Sequence, residues 1–226
     1  MTADDLPAAF DSLPAAWRDA LPGWTPALQH EVVQRVRDVS GARDIAPADP
    51  FRALRFAPPQ GIKLVVLGQD PYPKPGHADG LAFSAGCGKP HSLRRVFEVL
   101  EADDIGFVRP DVWCLDAWAR QGVLLLNPTL TVEVGLSGSH MRCGWQALTS
   151  QIVQMLCLLP QAPVFSLWGK PANAFFDAHR PPGCEPRVLR TRHPSHDMKR
   201  QFMAGGSHFL ATRDGVDWRL PRQAGV

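Results

Sequence analysis

Four short apolar runs that each end in a polar loop dominate the hydrophobic pattern of this chain. They occupy residues 63–67, 123–126, 164–168 and 187–191. Near-continuous apolar runs of about four to eight residues are typical of strands that are covered on both faces of a parallel sheet. The pattern therefore predicts four strands in one mostly parallel sheet.

Residues with helical spacing lie between these runs. Thr25 and Pro26 predict the N-cap and first residue of a helix that ends at Gly41. A second helix follows Ser92, with apolar residues at i, i+3, i+4 and i+7 that face the core, and a third spans 144–158. Helices that alternate with strands predict an α/β fold, a single-domain three-layer α/β/α sandwich with a central, mostly parallel four-stranded sheet.

Length and composition fit one domain with a sizeable core. The chain has 226 residues, 45% of them apolar, and we expect a single domain over residues 1–226. Its formal net charge of +2 does not single out nucleic acid as a partner. Five cysteines without a Cys-x-x-Cys pair predict neither a disulfide framework nor a metal site. The sequence shows no basic leader or membrane-length apolar run, so we expect a cytoplasmic monomer that does not bind membranes.

Each predicted strand is followed by a polar residue capable of chemistry. Asp70, Asn127, Lys170 and His193 come shortly after the four runs, and two prolines flank Tyr72 beside the first of them. The carboxyl ends of parallel strands meet at one edge of a sheet, where α/β proteins bind ligands. Alternatively, each residue is only a turn former or a helix cap, as isolated residues of these types often are. The repeated pattern favours a functional site at this edge.

Several ordered motifs resemble those of one enzyme family. The motifs are Gly68-Gln69-Asp70-Pro71-Tyr72, residues 80–84 and 122–127, and His193-Pro194-Ser195, with further matches at 49–56, 130–132, Ser139-His140, Gly144-Trp145 and His208-Phe209. They resemble the signature motifs of the family 1 uracil-DNA glycosylases and cover most of the chain. The resemblance implies an enzyme that flips uracil out of DNA and hydrolyses its N-glycosidic bond, leaving an abasic site for base excision repair.

The resemblance implies a role for each residue of a base pocket. Asn127 resembles the amide that reads the uracil edge, since a side-chain amide offers a donor and an acceptor in one plane. Phe83 resembles the ring on which the flipped base stacks, although on its own it would be interpreted as a core phenylalanine. Tyr72 resembles the wall that excludes the thymine methyl group. Gln69 resembles the residue that presents its backbone N–H to uracil O2.

Two residues match the catalytic positions of the family. Asp70 resembles the carboxylate that orients the attacking water and favours the cationic sugar. His193 resembles the histidine that donates a hydrogen bond to O2 of the departing uracil, a preorganised donor of the oxyanion-hole kind. This scheme needs no metal or organic cofactor. The alternatives are a DNA- or uracil-binding module that keeps the pocket without cutting, and an unrelated nucleotide-binding α/β enzyme, for which no Gly-x-Gly-x-x-Gly motif is present.

Contacts to DNA are implied outside the pocket. Ser92, Lys170 and Ser195 match the positions of phosphate-binding loops, and His140 lies near a DNA-contact segment. Lys170 stands where a serine is usual, so it either strengthens a phosphate contact or faces solvent. The expected partners are uracil-containing single- and double-stranded DNA and a small DNA-mimicking inhibitor protein.

Two residues depart from the family pattern. Pro73 replaces a usual histidine, and Asp197 replaces the leucine that wedges into the duplex where the base has left. A carboxylate is a poor wedge and brings negative charge towards phosphates, so we expect an enhanced preference for single-stranded DNA, and a narrower preference after Asp197→Leu. Met198 is either a replacement wedge or an exposed loop residue.

Overall fold

A central sheet of four parallel strands organises the computed structural model, which describes residues 1–111, 113–195 and 197–221. In this sheet the strand order is β3-β2-β5-β6, and β1 and β4 form a separate antiparallel pair. In chain order, the strands are β1 (Ile45–Ala46), β2 (Leu64–Leu67), β3 (Val123–Leu126), β4 (Val132–Glu133), β5 (Val164–Trp168) and β6 (Val188–Thr191). The four predicted strands are confirmed almost at their predicted bounds.

The register aligns the carboxyl ends of the central strands. Leu67 of β2 lies opposite Leu126 of β3 and Leu167 of β5, and Trp168 lies opposite Thr191 of β6. The segments that leave these strands therefore begin at one edge of the sheet. Every residue of β2 and β3 is buried, whereas β6 at the end of the sheet is partly exposed. This difference explains why the run that forms β6 is less apolar than the others.

Eight α-helices formed by the described residues surround the sheet and complete the three-layer sandwich. They are α1 (Leu6–Asp11), α2 (Ala15–Ala20), α3 (Pro26–Ser40), α4 (His91–Ala102), α5 (Asp116–Ala119), α6 (Trp145–Cys157), α7 (Lys170–His179) and α8 (His208–Thr212). Short 3-10 helices span Ala3–Asp5, Arg52–Arg55 and Pro59–Gly61. Within the described part of the chain, none of the helices combines the length and apolar character that a membrane span needs.

The three predicted helices are confirmed, with one change at the start of α4. Thr25 caps α3 by accepting a hydrogen bond from the Leu28 N–H at 3.3 Å, and Pro26 is the first helical residue. Helix α4 begins at His91, so Ser92 lies inside the first turn and is not the cap. The helix thus starts two residues earlier than predicted, and the Ser92 side chain is among those that the helix buries.

His140 belongs to the core. Its side chain is fully buried, with Nε2 2.8 Å from Ser40 Oγ and Nδ1 2.9 Å from Thr131 Oγ1. Burial lowers the pKa of His140 to about 4, although the charge of Glu133 acts in the opposite direction. The expected DNA contact through this side chain is wrong because both ring nitrogens are used inside the protein.

Candidate active site

The loops that follow β2, β3 and β6 enclose a cavity of about 320 Å³ at the carboxyl edge of the central sheet. Small-molecule sites occupy roughly 300–1,000 Å³, so this cavity suits a small ligand. Its walls include Gln69, Asp70, Tyr72, Phe83, Ser92, Asn127, His193 and Ser195. The cavity thus brings together residues from three strand exits, as the pattern predicts, whereas Lys170 does not line it.

Asp70 is held at the cavity by the proline that follows it and by a loop that lies further along the chain. Pro71 follows it directly, and one carboxylate oxygen accepts a hydrogen bond from the Gly138 N–H at 3.0 Å. The same loop is joined to the Asp70 segment again where the Gly135 N–H donates to the Pro73 carbonyl at 2.8 Å. Burial raises the pKa of Asp70, and the Gly138 hydrogen bond opposes this shift. The carboxylate is therefore oriented and partly removed from water.

Tyr72 is fixed through its hydroxyl group. The hydroxyl donates to the Phe83 carbonyl at 3.0 Å and lies 2.6 Å from Ser92 Oγ. A carbonyl can only accept, so the tyrosine proton is used there and Ser92 donates to the tyrosine oxygen. Burial raises the pKa of Tyr72, which keeps the phenol protonated. Ring orientation is consequently set from two directions.

Ser92 does not present its hydroxyl to a DNA surface. The residue is only 2% exposed, and its Oγ is engaged by Tyr72 inside the cavity wall. A phosphate contact through this side chain, as the resemblance implies, is therefore corrected to a contact with the tyrosine. The reason is the start of α4 at His91, which turns Ser92 towards the protein interior.

Phe83 packs its ring against the cavity floor in an uncommon backbone conformation. Its φ is +66°, a left-handed value that non-glycine residues rarely adopt. The ring centroid lies 4.7 Å from that of Trp168 and 5.6 Å from that of His193. Such strain persists only where surrounding contacts determine the conformation, and it is common at ligand sites. Sequence alone could not separate this ring from a core phenylalanine.

Gly68 makes room for the Asn127 side chain, a requirement that sequence reasoning missed. A Cβ placed on Gly68 would lie 2.3 Å from Asn127 Oδ1 and 3.2 Å from Phe83 Cε2. Any larger residue would displace the amide or the ring. A glycine placed directly after a buried strand was the available signal, since close backbone approach is one reason for glycine at such a position.

His193 is oriented by its own loop. Its Nδ1 accepts a hydrogen bond from the Ser195 N–H at 3.0 Å. An imidazole that accepts at Nδ1 carries its proton on Nε2, so the ring acts as a donor through Nε2. Gly169, with φ +109°, lies behind the ring, where a Cβ would be 2.9 Å from that of His193. The backbone of Ser195 thus sets the tautomer of the histidine.

The remaining predicted residues, Gln69, Lys170 and Met198, differ in their exposure to solvent. The Gln69 carbonyl accepts from the Thr129 N–H at 3.3 Å, and its side-chain amide lies 3.9 Å from the Met141 sulfur. Lys170 is exposed as the first residue of α7. Met198 is 93% exposed. Lys170 and Met198 are therefore accessible at the surface, while Gln69 lines the cavity.

Asp197 does not lie at the exposed tip of its loop, so the interpretation as a failed wedge is wrong. Its side chain is 5% exposed and pairs with Arg95 at 2.8 Å. The carboxylate also accepts from the N–H groups of Gln201 at 2.6 Å and Phe202 at 3.0 Å. Burial acts to raise the pKa of Asp197, but these hydrogen bonds outweigh burial and hold the pKa below its usual range. Its charge is compensated within the protein.

One cluster of potential metal ligands occurs among the described residues. Asp79, Cys114 and Asp116 place ligand atoms within 4.8 Å of one another. Arg52 occupies the same cluster, with ion pairs to Asp79 at 3.3 Å and Asp116 at 2.7 Å. Burial acts to lower the pKa of Arg52, and both carboxylates raise it. The cluster is an ion-pair network built around a guanidinium group.

Comparison with known proteins identifies the family. A profile of the uracil DNA glycosylase superfamily matches residues 54–214, which include all eight predicted residues on the cavity wall. The chain belongs to the uracil-DNA glycosylase superfamily. The uracil-DNA glycosylases of Bordetella parapertussis and Deinococcus deserti are 41% and 36% identical to it, over 95% and 93% of this chain and 87% and 89% of theirs.

Solved structures of the family share the fold. The mimivirus uracil-DNA glycosylase superposes with a TM-score of 0.70 at 26% identity, covering 80% of this chain and 68% of that chain. A mimivirus UNG variant in complex with UGI gives a TM-score of 0.71 at 26% identity, covering 81% of this chain and 70% of that chain. This chain therefore shares the overall fold of these two structures.

Proposed function

We propose that this protein removes uracil from DNA by hydrolysing its N-glycosidic bond, so that free uracil and an abasic strand are formed. The observation that carries this proposal is one cavity that holds a partly buried carboxylate, a side-chain amide, an oriented imidazole and two aromatic rings. These groups are Asp70, Asn127, His193, Tyr72 and Phe83. A module that only binds would need neither the carboxylate nor the oriented donor.

Three residues that line the cavity, Asn127, Phe83 and Tyr72, recognise the base. Asn127 offers a coplanar donor and acceptor to the uracil O4 and N3–H edge. The Phe83 ring provides a stacking face that any base can use, and therefore contributes affinity more than selectivity. The fixed Tyr72 ring excludes a C5 methyl group. Uracil is selected by the amide and by this exclusion together.

Bond cleavage leaves negative charge on uracil and cationic character on the sugar. His193 donates from Nε2 to uracil O2 as charge develops there. Asp70 orients a water whose oxygen forms a bond to C1′ while the C1′–N1 bond breaks, and its charge favours the cationic sugar. The electron pair of the broken bond leaves with uracil, and the attacking water releases a proton that balances this negative charge. The backbone N–H of Gln69 adds a second donor to O2.

The DNA-binding face surrounds the mouth of the cavity. Ser195 and Lys170 supply a hydroxyl group and a charge for phosphates, and Met198 contacts the duplex. We include single- and double-stranded uracil-containing DNA as substrates, and a DNA-mimicking inhibitor protein as a partner that this face would accept. The protein is proposed to act as a cytoplasmic monomer with residues 1–226 in one domain.

Product analysis tests the proposed function. The wild-type protein is incubated with a single-stranded oligonucleotide that contains one uracil, and the products are identified by mass spectrometry. We expect free uracil and a full-length abasic strand that breaks only after alkali, and no change in matched strands that contain thymine or cytosine. A bound strand with no base release, or release of a nucleotide, would contradict the proposal.

Tyr72→Phe is expected to weaken the exclusion of thymine while keeping the aromatic ring. The substitution removes both hydrogen bonds of the hydroxyl group, and a net hydrogen bond contributes about 0.5–1.5 kcal/mol. Uracil release should fall by roughly tenfold or less, and inhibition by free thymine should strengthen relative to inhibition by free uracil. Inhibition constants for the two bases measure the change.

Ser92→Ala tests the hydrogen bond to the Tyr72 hydroxyl without changing the tyrosine side chain itself. It removes one of the two contacts of the Tyr72 hydroxyl, so the change in base selectivity should have the same direction and be smaller. Ser150→Ala, at a buried serine of α6 outside the cavity, is the matched control and should leave selectivity unaltered. Equal uracil-to-thymine ratios in all three variants and wild type would show that the hydroxyl group does not fix the wall.

A further inference from the structure

A loop formed by residues 197–203 presents an exposed methionine. Met198 is 93% exposed, and the adjacent Lys199 and Arg200 are exposed as well. Single exposed apolar side chains are common on protein surfaces, so it is the basic pair beside Met198 that distinguishes this tip. An apolar tip beside two cations is complementary to a gap between stacked bases that is bordered by phosphates. We call residues 197–203 the Met198 loop.

The near end of the Met198 loop is fixed by charge. Asp197 pairs with Arg95 Nε at 2.8 Å, and the two side chains are 5% and 15% exposed. The same carboxylate accepts from the N–H groups of Gln201 and Phe202, and the Asp197 carbonyl accepts from the Arg200 N–H at 3.0 Å. One residue therefore closes the turn on itself and attaches it to α4.

The far end of the loop is fixed by packing. Phe202 is 1% exposed, and its ring meets that of Trp168 edge-on at 5.3 Å. The Met203 N–H donates to Thr191 Oγ1 at 2.6 Å at the end of β6. Both ends are thus held by the body of the protein, and the exposed tip between them consists of Met198 and its two basic neighbours.

We propose that the Arg95–Asp197 ion pair is a latch that holds the Met198 loop in its DNA-binding shape before DNA arrives, so that Met198 fills the gap left by the flipped base. The inference rests on the proposed function and assigns Arg95 as a positioning residue for duplex substrates. A loop ordered in advance does not have to be ordered during binding, which lowers the cost of association.

Helix α4 connects this latch with the base pocket. Ser92 and Arg95 are i and i+3 on the helix, which places them on the same face. Ser92 contacts the Tyr72 hydroxyl, and Arg95 contacts Asp197 and, at 3.2 Å, Glu98. One helix therefore supports both the wall of the pocket and the loop at its mouth.

A double-mutant cycle tests the latch. The cycle compares Arg95→Ala, Asp197→Ala and the double variant with wild type by kcat/KM for uracil release from single-stranded and duplex oligonucleotides of the same sequence. Neighbouring paired residues are coupled by amounts that correspond to roughly 2- to 150-fold, and we expect about a tenfold fall on duplex. The single-stranded value should change by about twofold or less, and the double variant should be no worse than either single variant.

A second ion pair of the same helix provides a control. Glu101, near the C-terminal end of α4, pairs at 2.6 Å with Arg109, which lies beyond the helix, so Arg109→Ala removes a more exposed ion pair away from the Met198 loop. It should leave the ratio of duplex to single-strand activity unchanged. Met198→Ala should lower this ratio as the latch variants do, and Arg95→Lys should restore part of it.

Loop order is measured separately by limited trypsin digestion without DNA. Trypsin cleaves after Lys199 and Arg200, and a latched turn resists the extended shape that a protease requires. We expect several-fold faster cleavage at these sites in Asp197→Ala, and wild-type cleavage in Met198→Ala and Arg109→Ala. This readout does not depend on catalysis.

The outcomes distinguish the latch from a purely structural pair. If Arg95→Ala and Asp197→Ala left the ratio of duplex to single-strand kcat/KM unchanged, the latch would be overturned. Faster trypsin cleavage without a change in the duplex ratio would overturn the role of the loop in DNA binding. Absence of uracil release by wild type on either substrate would instead contradict the proposed function, and the trypsin result would then decide loop order alone.

Discussion

Asp70→Asn is expected to lower the rate of uracil release by about 10²–10⁴-fold, the range that a positioned acid–base group contributes. The amide keeps the shape of the side chain and can still accept from the Gly138 N–H. It cannot carry the charge that favours a cationic sugar. Single-turnover release from a single-stranded oligonucleotide measures the effect without a contribution from duplex opening.

The pH dependence of wild-type activity tests the role of the Asp70 charge independently of the substitution. Burial raises the pKa of Asp70, so activity should fall with decreasing pH at a higher pH than an exposed aspartate would give. A raised pKa in the folded state contributes stability that is present at low pH and is lost as the pH rises through that value. Asp70→Asn should therefore be more stable than wild type at neutral pH, with no gain in strong acid. Near-normal release by this variant would contradict the assignment.

His193→Ala is expected to lower kcat by about 10²–10³-fold, as removal of one preorganised donor to a developing anion does. The Ser195 N–H holds Nδ1, so the donor that disappears is the Nε2 proton. KM should change little because the hydrogen bond strengthens mainly as negative charge develops on O2. His193→Gln should recover part of the kcat that His193→Ala loses, because the glutamine side chain still carries an N–H donor.

An exposed histidine serves as the comparison for His193→Ala. His30 lies on the surface of α3, so His30→Ala should give wild-type kcat and KM. If His193→Ala raised KM strongly and left kcat unaltered, the imidazole would contribute to base binding in the ground state and not to the departure of uracil.

The sheet and the convergence of site residues could be predicted because both depend on local pattern. Residues 64–67 and 123–126 are buried on both faces, which produces an uninterrupted apolar run. Parallel pairing then fixes where Asp70 and Asn127 lie relative to each other. The resemblance to a family supplied the roles of these residues, which the pattern alone left open between a site and a set of turns.

Contacts between distant segments could not be predicted from the sequence. The Ser92 hydroxyl on α4 forms a hydrogen bond with Tyr72 in the loop after β2. The Gly138 N–H forms a hydrogen bond with Asp70 from a loop far along the chain. No periodicity encodes such pairs. Gly68 was closer to prediction, because its position after a buried strand hints at close packing, but the Asn127 side chain that requires it is known only from the fold.

Asp197 shows how a position in a motif can mislead. The residue stands where a leucine wedge is usual, and on that basis Asp197→Leu is expected to favour duplex DNA. The structure reverses this expectation, since the carboxylate closes the turn and pairs with Arg95. Asp197→Leu should now reduce duplex activity relative to single-strand activity, because an apolar side chain cannot replace two hydrogen bonds from backbone N–H groups and the ion pair with Arg95.

Uracil excision with Asp70 as the catalytic carboxylate is tested by single-turnover release of free uracil from a single-stranded oligonucleotide. Wild type, His30→Ala and Asp70→Asn are compared, with binding of the same strand measured in parallel. We predict rapid release by wild type and His30→Ala, and release by Asp70→Asn that is about a hundredfold slower or more, with similar binding by all three. Binding without release by wild type would contradict uracil excision, and equal rates for wild type and Asp70→Asn would contradict the catalytic role of Asp70.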